Sequence, residues 1–170
     1  YNRDAQFLAS LGYAVLQVNY RGSGGRGDDF EQSGYKGWGT TIQQDIADGV
    51  KHVIAQGLAD KDKVCIYGAS FGGYSAMMNP ILNNGMYKCS IAYAGVYDIN
   101  KDSEKKDNSK QIRSYWDRTR GDEATQAAQS PVHQVANLDV PILLIHGKSD
   151  RNVDIEQFTY AQAALQKSGK

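Results

Sequence analysis

Residues able to do chemistry concentrate in two short stretches. The first is Gly68-Ala69-Ser70-Phe71-Gly72, a G-x-S-x-G pattern. Val64-Cys65-Ile66-Tyr67 before it is short and β-favouring, and Tyr74-Ser75-Ala76-Met77-Met78 after it suits a helix. A serine on such a sharp strand-to-helix turn projects its hydroxyl beyond the sheet edge as a nucleophile. Gly68 and Gly72 lack a Cβ and let strand and helix approach closely. The backbone N–H of Phe71, opening the new helix, is a candidate oxyanion donor. A glycine-rich turn without chemistry would carry the same letters in a chain of 18 glycines; the flanking strand and helix favour the nucleophile. The second stretch is His146-Gly147-Lys148-Ser149-Asp150, directly after the apolar run Pro141–Ile145. There Asp150 is placed to orient a histidine, while Asp154 reads as a helix cap.

A serine needs a histidine to take its proton, and in α/β hydrolases the order is Ser, Asp, His. The three histidines, His52, His133 and His146, all precede Asp150. His146 begins the acid loop, His52 follows Asp48 by one helical turn as a surface pair, and His133 alone leaves a catalytic role conceivable. The expectation is therefore a base beyond Lys170, or a domain that does not catalyse as it stands.

A rival signal lies upstream. Gly22-Ser23-Gly24-Gly25-Arg26-Gly27 fits G-x-G-x-x-G, with Asp45 near the distance of a ribose ligand. A dinucleotide fingerprint needs a helix opening within the glycines, whereas Asp28-Asp29 and another glycine-dotted stretch follow here.

The elements that must position these groups alternate. Asp4–Leu11 reads as a helix, Tyr13–Val18 as a strand, and Thr40–Gln56 as an amphipathic helix with Ile42, Ile46, Val50, Val53 and Ile54 inward. After the serine turn come a strand over Cys89–Ala94, a polar run over Lys101–Lys110, and Tyr115-Trp116. Ser130-Pro131 reads as a capped helix start, Pro141–Ile145 as the last strand, and a final helix follows Asp154 with Ile155, Phe158, Ala161 and Leu165 inside. Strands alternating with helices imply a parallel α/β sheet with sites at the strand C-terminal ends.

Bulk composition narrows the partners. Nineteen basic and nineteen acidic residues cancel, which argues against nucleic acid and polybasic membrane roles. No apolar run is long enough to span a bilayer, and residues 1–30 do not resemble a signal peptide. Without an initiator methionine the 170 residues read as a fragment. The compartment stays open: cytoplasm is favoured, with periplasm or secretion if the parent carries a signal. Cys65 and Cys89 read as two buried free thiols, and no metal or cofactor is expected.

Together these stretches resemble the catalytic domain of the prolyl oligopeptidase family of serine peptidases, in its acylaminoacyl-peptidase and dipeptidyl-peptidase branches. The carriers are Ala5–Tyr13, Asn19-Tyr20-Arg21-Gly22-Ser23, Gly68–Tyr74, Ser130-Pro131, and Leu143–Gly147 with Asp150. The resemblance implies residues 1–170 as a partial α/β-hydrolase catalytic domain, with a mostly parallel sheet, helices on both faces, and truncation at both ends. It implies peptide substrate, Ser70 as nucleophile, Asp150 as acid and His146 as structural. Asn152 matches an asparagine that helps bind the substrate backbone, and Tyr115 and Trp116 fall where aromatics approach the specificity pocket. The family's catalytic histidine, its His-Gly-Gly-type oxyanion turn and its β-propeller lie outside this sequence. So does the strand that normally separates Ala14–Val18 from Val64–Tyr67. The sheet is therefore expected to close differently, to borrow a strand from another copy of the chain, or to lack residues absent from this sequence. An esterase on the same scaffold and a non-catalytic binding or assembly domain are the alternatives.

Overall fold

The structure is a computed structural model that describes residues 2–102 and 110–170, with backbone alone for 110–113. Most of the polar run Lys101–Lys110 lies outside the described residues. Three parallel strands form the sheet in the order β1 (Cys65–Ala69), β2 (Cys89–Tyr93), β3 (Ile142–Ile145). Register pairs Cys65 with Cys89, and Ala69 with Tyr93 and then Ile145. Helices α1 (Arg3–Ser10), α2 (Asp28–Gln32) and α3 (Thr41–Ala55) precede β1. Helix α4 (Phe71–Leu82) joins β1 to β2; α5 (Lys110–Arg120) and α6 (Glu123–Ala128) precede β3, and α7 (Glu156–Lys167) follows it.

Alternation along the strands decides which face is covered. Ile66, Ala92, Ile142 and Leu144 point toward one core with Ala76, Met77 and Ile81 of α4 and Ala161 and Leu165 of α7. Their neighbours Tyr67, Tyr93, Leu143 and Ile145 lie on the opposite face and are exposed. Helix α1 reaches that face by one link, the Tyr67 hydroxyl donating to Asp4 (2.7 Å). This bond, with burial, pushes the phenol's pKa up to about 12.

Helix α3 buries Ile42, Gln43, Ala47 and Val50, so its inner stripe includes a glutamine that hydropathy excluded. Gln43 donates to the Trp38 carbonyl and Ser75 Oγ, and Asn79 of α4 donates back to the Gln43 carbonyl and Oε1. These bonds satisfy the buried amides and tie α3 to α4. In the same way Gln157 of α7 is fully buried because its Oε1 accepts from the N–H groups of Tyr97 and Asp98.

Several sequence expectations are corrected. Tyr13–Val18 is not a strand: a strand exists only where its backbone pairs with another, and among the described residues this segment pairs with none. It packs instead beside α3, where a Cβ on Gly49 would lie 2.9 Å from Val18. The sheet does not close onto it, so β1 is left as an edge. Cys65 and Cys89 are not free buried thiols. They form a disulfide between register-paired positions with a Cα–Cα distance of 4.7 Å, Cys65 exposed and Cys89 half-buried. The Ser130-Pro131 start yields one 3-10 turn, and Ser130 Oγ accepts from Ile99 N–H and donates to the Gln126 carbonyl instead of capping it. Asp48 binds Gln44 and Lys51 rather than His52.

Candidate active site

Ser70 sits between β1 and α4 with φ 55° and ψ −120°, a left-handed conformation costly for any residue with a Cβ. Its N–H donates to the Tyr93 carbonyl (3.0 Å) and its carbonyl accepts from Tyr74 N–H (3.1 Å), which pins the turn from both sides. Two of the surrounding glycines are obligatory, whereas a Cβ on Gly72 would meet nothing within 4 Å, so the close approach expected there is not found. A Cβ on Gly68 would strike the Gly72 backbone, and one on Gly73 the Tyr93 carbonyl. The serine is exposed at the strand tip. Phe71 opens α4, where first-turn N–H groups lack helical acceptors.

The acid loop leaves β3 at the same sheet edge. Ala94 N–H donates to the Ile145 carbonyl (2.8 Å), so Ser70, Ala94 and His146 continue the three strands side by side. Two strand spacings put the β1 and β3 tips about 10 Å apart. Asp150 Oδ1 accepts from the N–H groups of Val153 (3.0 Å) and Asn152 (2.9 Å). Those bonds hold its carboxyl below the usual carboxylate range and leave Oδ2 uncommitted to the loop. His146, with a fully buried side chain, donates from Nε2 to the Val153 carbonyl (2.9 Å); Asp150 Oδ2 lies 3.9 Å away. Its ring thus ties the two ends of the acid loop together. His52 and His133 are exposed, and among the described residues no histidine is hydrogen-bonded to Ser70.

A cavity of about 150 Å³ is lined by Phe71, the residue after the serine, with Tyr20, Trp38, Tyr115, Trp116 and others. Tyr115 and Trp116 of α5 are thus brought to the neighbour of Ser70, as their spacing in sequence could not show. Asn152 is exposed on the acid loop and contributes its backbone N–H to Asp150. Trp38 meets Phe71 edge-on at 4.8 Å, and Tyr20 lies 5.5 Å from Phe71. Burial raises the Tyr20 phenol, keeping it neutral. Sequence reading missed Tyr20 and Trp38; the bulky Trp38 between Gly37 and Gly39 was the available signal.

The rival nucleotide reading loses its ligand here. Asp45 is occupied by Arg21, accepting from its backbone N–H (2.9 Å), Nε and Nη2 (2.6 Å). That pairing lowers the Asp45 carboxyl and folds the glycine segment onto α3.

The sequence pattern of the prolyl oligopeptidase family matches residues 1–170. The chain belongs to the prolyl oligopeptidase family. Dipeptidyl aminopeptidase BIII of Pseudoxanthomonas mexicana is 30% identical over 161 residues, covering 87% of this chain and 22% of the relative. The acylamino-acid-releasing enzyme of Arabidopsis thaliana is 27% identical, covering 98% and 23%. Among solved structures, the uncomplexed acylaminoacyl peptidase of Pyrococcus horikoshii superposes with a TM-score of 0.89 at 26% identity, covering 100% of this chain and 28% of that one. The chain therefore spans about a quarter of the length of these relatives. Its fold is the truncated α/β-hydrolase fold of prolyl oligopeptidase family members, and the Pseudoxanthomonas and Pyrococcus relatives are named as peptidases.

Proposed function

We propose that this chain is the core of a serine peptidase catalytic domain that hydrolyses peptide bonds through an acyl-enzyme on Ser70. The observation that carries the reading is Ser70 at φ 55° on the β1 tip, at the head of α4, beside the sheet edge that bears the Asp150 loop. Ser70 Oγ attacks the scissile carbonyl while its proton passes to a histidine supplied from outside these 170 residues. Asp150 Oδ2 orients that imidazole, and the Phe71 N–H stabilises the developing oxyanion. Protonation of the leaving amine by the imidazolium breaks the C–N bond, and water then cleaves the ester on Ser70 by the reverse proton route. Tyr115 and Trp116 face the substrate side chain, and Asn152 its backbone. On this reading the 170 residues alone are inactive, since the histidine it requires lies outside them.

The test compares the full-length protein with its Ser70→Ala variant on an aminoacyl p-nitroanilide and on p-nitrophenyl acetate. Anilide hydrolysis that falls on the order of 10⁴-fold or more in Ser70→Ala is expected. Ester hydrolysis without anilide hydrolysis would make the protein an esterase. Absence of both would assign it a binding or assembly role.

A further inference from the structure

We propose that Arg120 is a positioning residue, setting the orientation of the aromatic wall against which a planar substrate side chain packs. The assignment rests on Ser70 being the nucleophile and the cavity beside it the substrate's. Arg120 ends α5 with its side chain only 2% exposed. Its guanidinium carbon lies 3.6 Å from the Trp116 ring centroid and 4.9 Å from that of Trp38. Both rings line the cavity. Behind the guanidinium, Asp102 Oδ2 is 2.7 Å from Nη1, its side chain 1% exposed.

This arrangement is poorly explained by stability alone. Burying two charges costs desolvation that their attraction only partly offsets, and apolar replacements of such pairs are often neutral or stabilising. What the pair supplies is direction. A guanidinium is flat, permanently charged, and stacks on an aromatic face while its edge is held by a carboxylate. Trp116 depends on that stack, since its buried indole N–H has no hydrogen-bond acceptor among the described residues. Tyr115 meets it in a T-shaped ring contact at 4.9 Å. Trp38 continues the series, passing to Phe71 at 4.8 Å, and Phe71 adjoins Ser70. The C-terminal end of α5 is itself anchored by the Lys36 N–H donating to the Thr119 carbonyl (2.7 Å). Asp102, Arg120, the two tryptophans and Phe71 thus form one packed series ending at the nucleophile. It fixes the plane of the wall without Arg120 touching substrate.

The experiment uses full-length protein and two substrates differing in one side chain, N-acetyl-phenylalanine and N-acetyl-alanine p-nitroanilides. A small alkyl fluorophosphonate reports folding and the Ser70 hydroxyl independently. Arg120→Lys keeps the charge opposite Asp102 and loses the flat stack. It is expected to label like wild type and to raise KM for the phenylalanine substrate about tenfold. KM for the alanine substrate should change less than about twofold, with kcat similar for both. Equal losses on both substrates together with a lowered Tm would overturn the assignment, as would an unchanged KM ratio. If Arg120→Lys fails to label, Asp102→Asn decides, since it keeps the stack and removes only the charge paired with the guanidinium. A shift of about threefold in the same direction is expected, and an unchanged ratio overturns the assignment. Wild-type protein that does not label at Ser70 sinks the peptidase reading instead. Tryptophan-fluorescence titration with N-acetyl-phenylalaninamide then still tests Arg120, and equal affinity for wild type and Arg120→Lys overturns its role.

Discussion

Ser70 holds its strained φ of 55° because the residues around it leave no alternative. Its own N–H and carbonyl are both bonded, and the glycines at 68 and 73 admit backbone where any side chain would collide. Strain of this kind persists where the surroundings over-determine it, and such sites are commonly functional. Asp150 is prepared in a different way, by two backbone N–H groups that favour its charged form. Its folded pKa is depressed, so the stabilisation it gives is fully present above the unfolded value of about 3.9 and is lost as pH falls through the folded value. Asp150→Asn is therefore expected to unfold at lower urea concentration than wild type at pH 7, with the gap narrowing by pH 3. A gap that stays constant or widens would contradict this. In the hydrolysis assay the same variant should lose on the order of 10⁴-fold in kcat, the cost of a misdirected histidine. Both residues were legible in the sequence because each sits in a short continuous motif. Tyr20, Trp38 and Arg120 were not, because they come from distant segments and acquire meaning only when α3, α4 and α5 converge.

At the level of elements, β1 carries Ser70, the proposed nucleophile, yet among the described residues it has only one strand neighbour. The Cys65–Cys89 disulfide joins it to β2 at the end opposite Ser70. Closing a loop of 24 residues restricts the unfolded chain and contributes about 3 kcal/mol. Thiol titration of the denatured, unreduced protein should therefore find neither cysteine free. The Cys65→Ser/Cys89→Ser double variant should be less stable by roughly 2–4 kcal/mol in urea denaturation. Two titratable thiols in the unreduced protein would contradict the pairing. Short β-favouring stretches marked β1, β2 and β3 in the sequence, the last of them the most apolar. Pairing was not legible: the cysteines oppose each other only once register is set, and Tyr13–Val18 has strand-like composition without a strand partner. Periodicity marked α1, α3 and α7 but not α2, α5 or α6, and the inward glutamines of α3 and α7 escaped it because their burial depends on bonds made across the core.

On the scale of the whole molecule, the core is one-sided. α4 and α7 bury one face of the sheet, while Tyr67, Tyr93, Leu143 and Ile145 stay exposed on the other, where Tyr67 bonds Asp4 of α1. Among the described residues no helix is long and apolar enough to cross a membrane. The sheet's C-terminal edge carries the parts of the proposed site: the Ser70 turn and the Asp150 loop, with an aromatic cavity lined from α3, α4 and α5. That edge was foreseeable from strand–helix alternation alone, because parallel strands deliver their loops to one end. The most direct measurement is covalent labelling of the full-length protein with a fluorophosphonate, followed by mass spectrometry of the digest. A single adduct on Ser70, abolished in Ser70→Ala and strongly slowed in Asp150→Asn, is the predicted result. No adduct, or an adduct on another residue with Ser70 unmodified, would contradict the account.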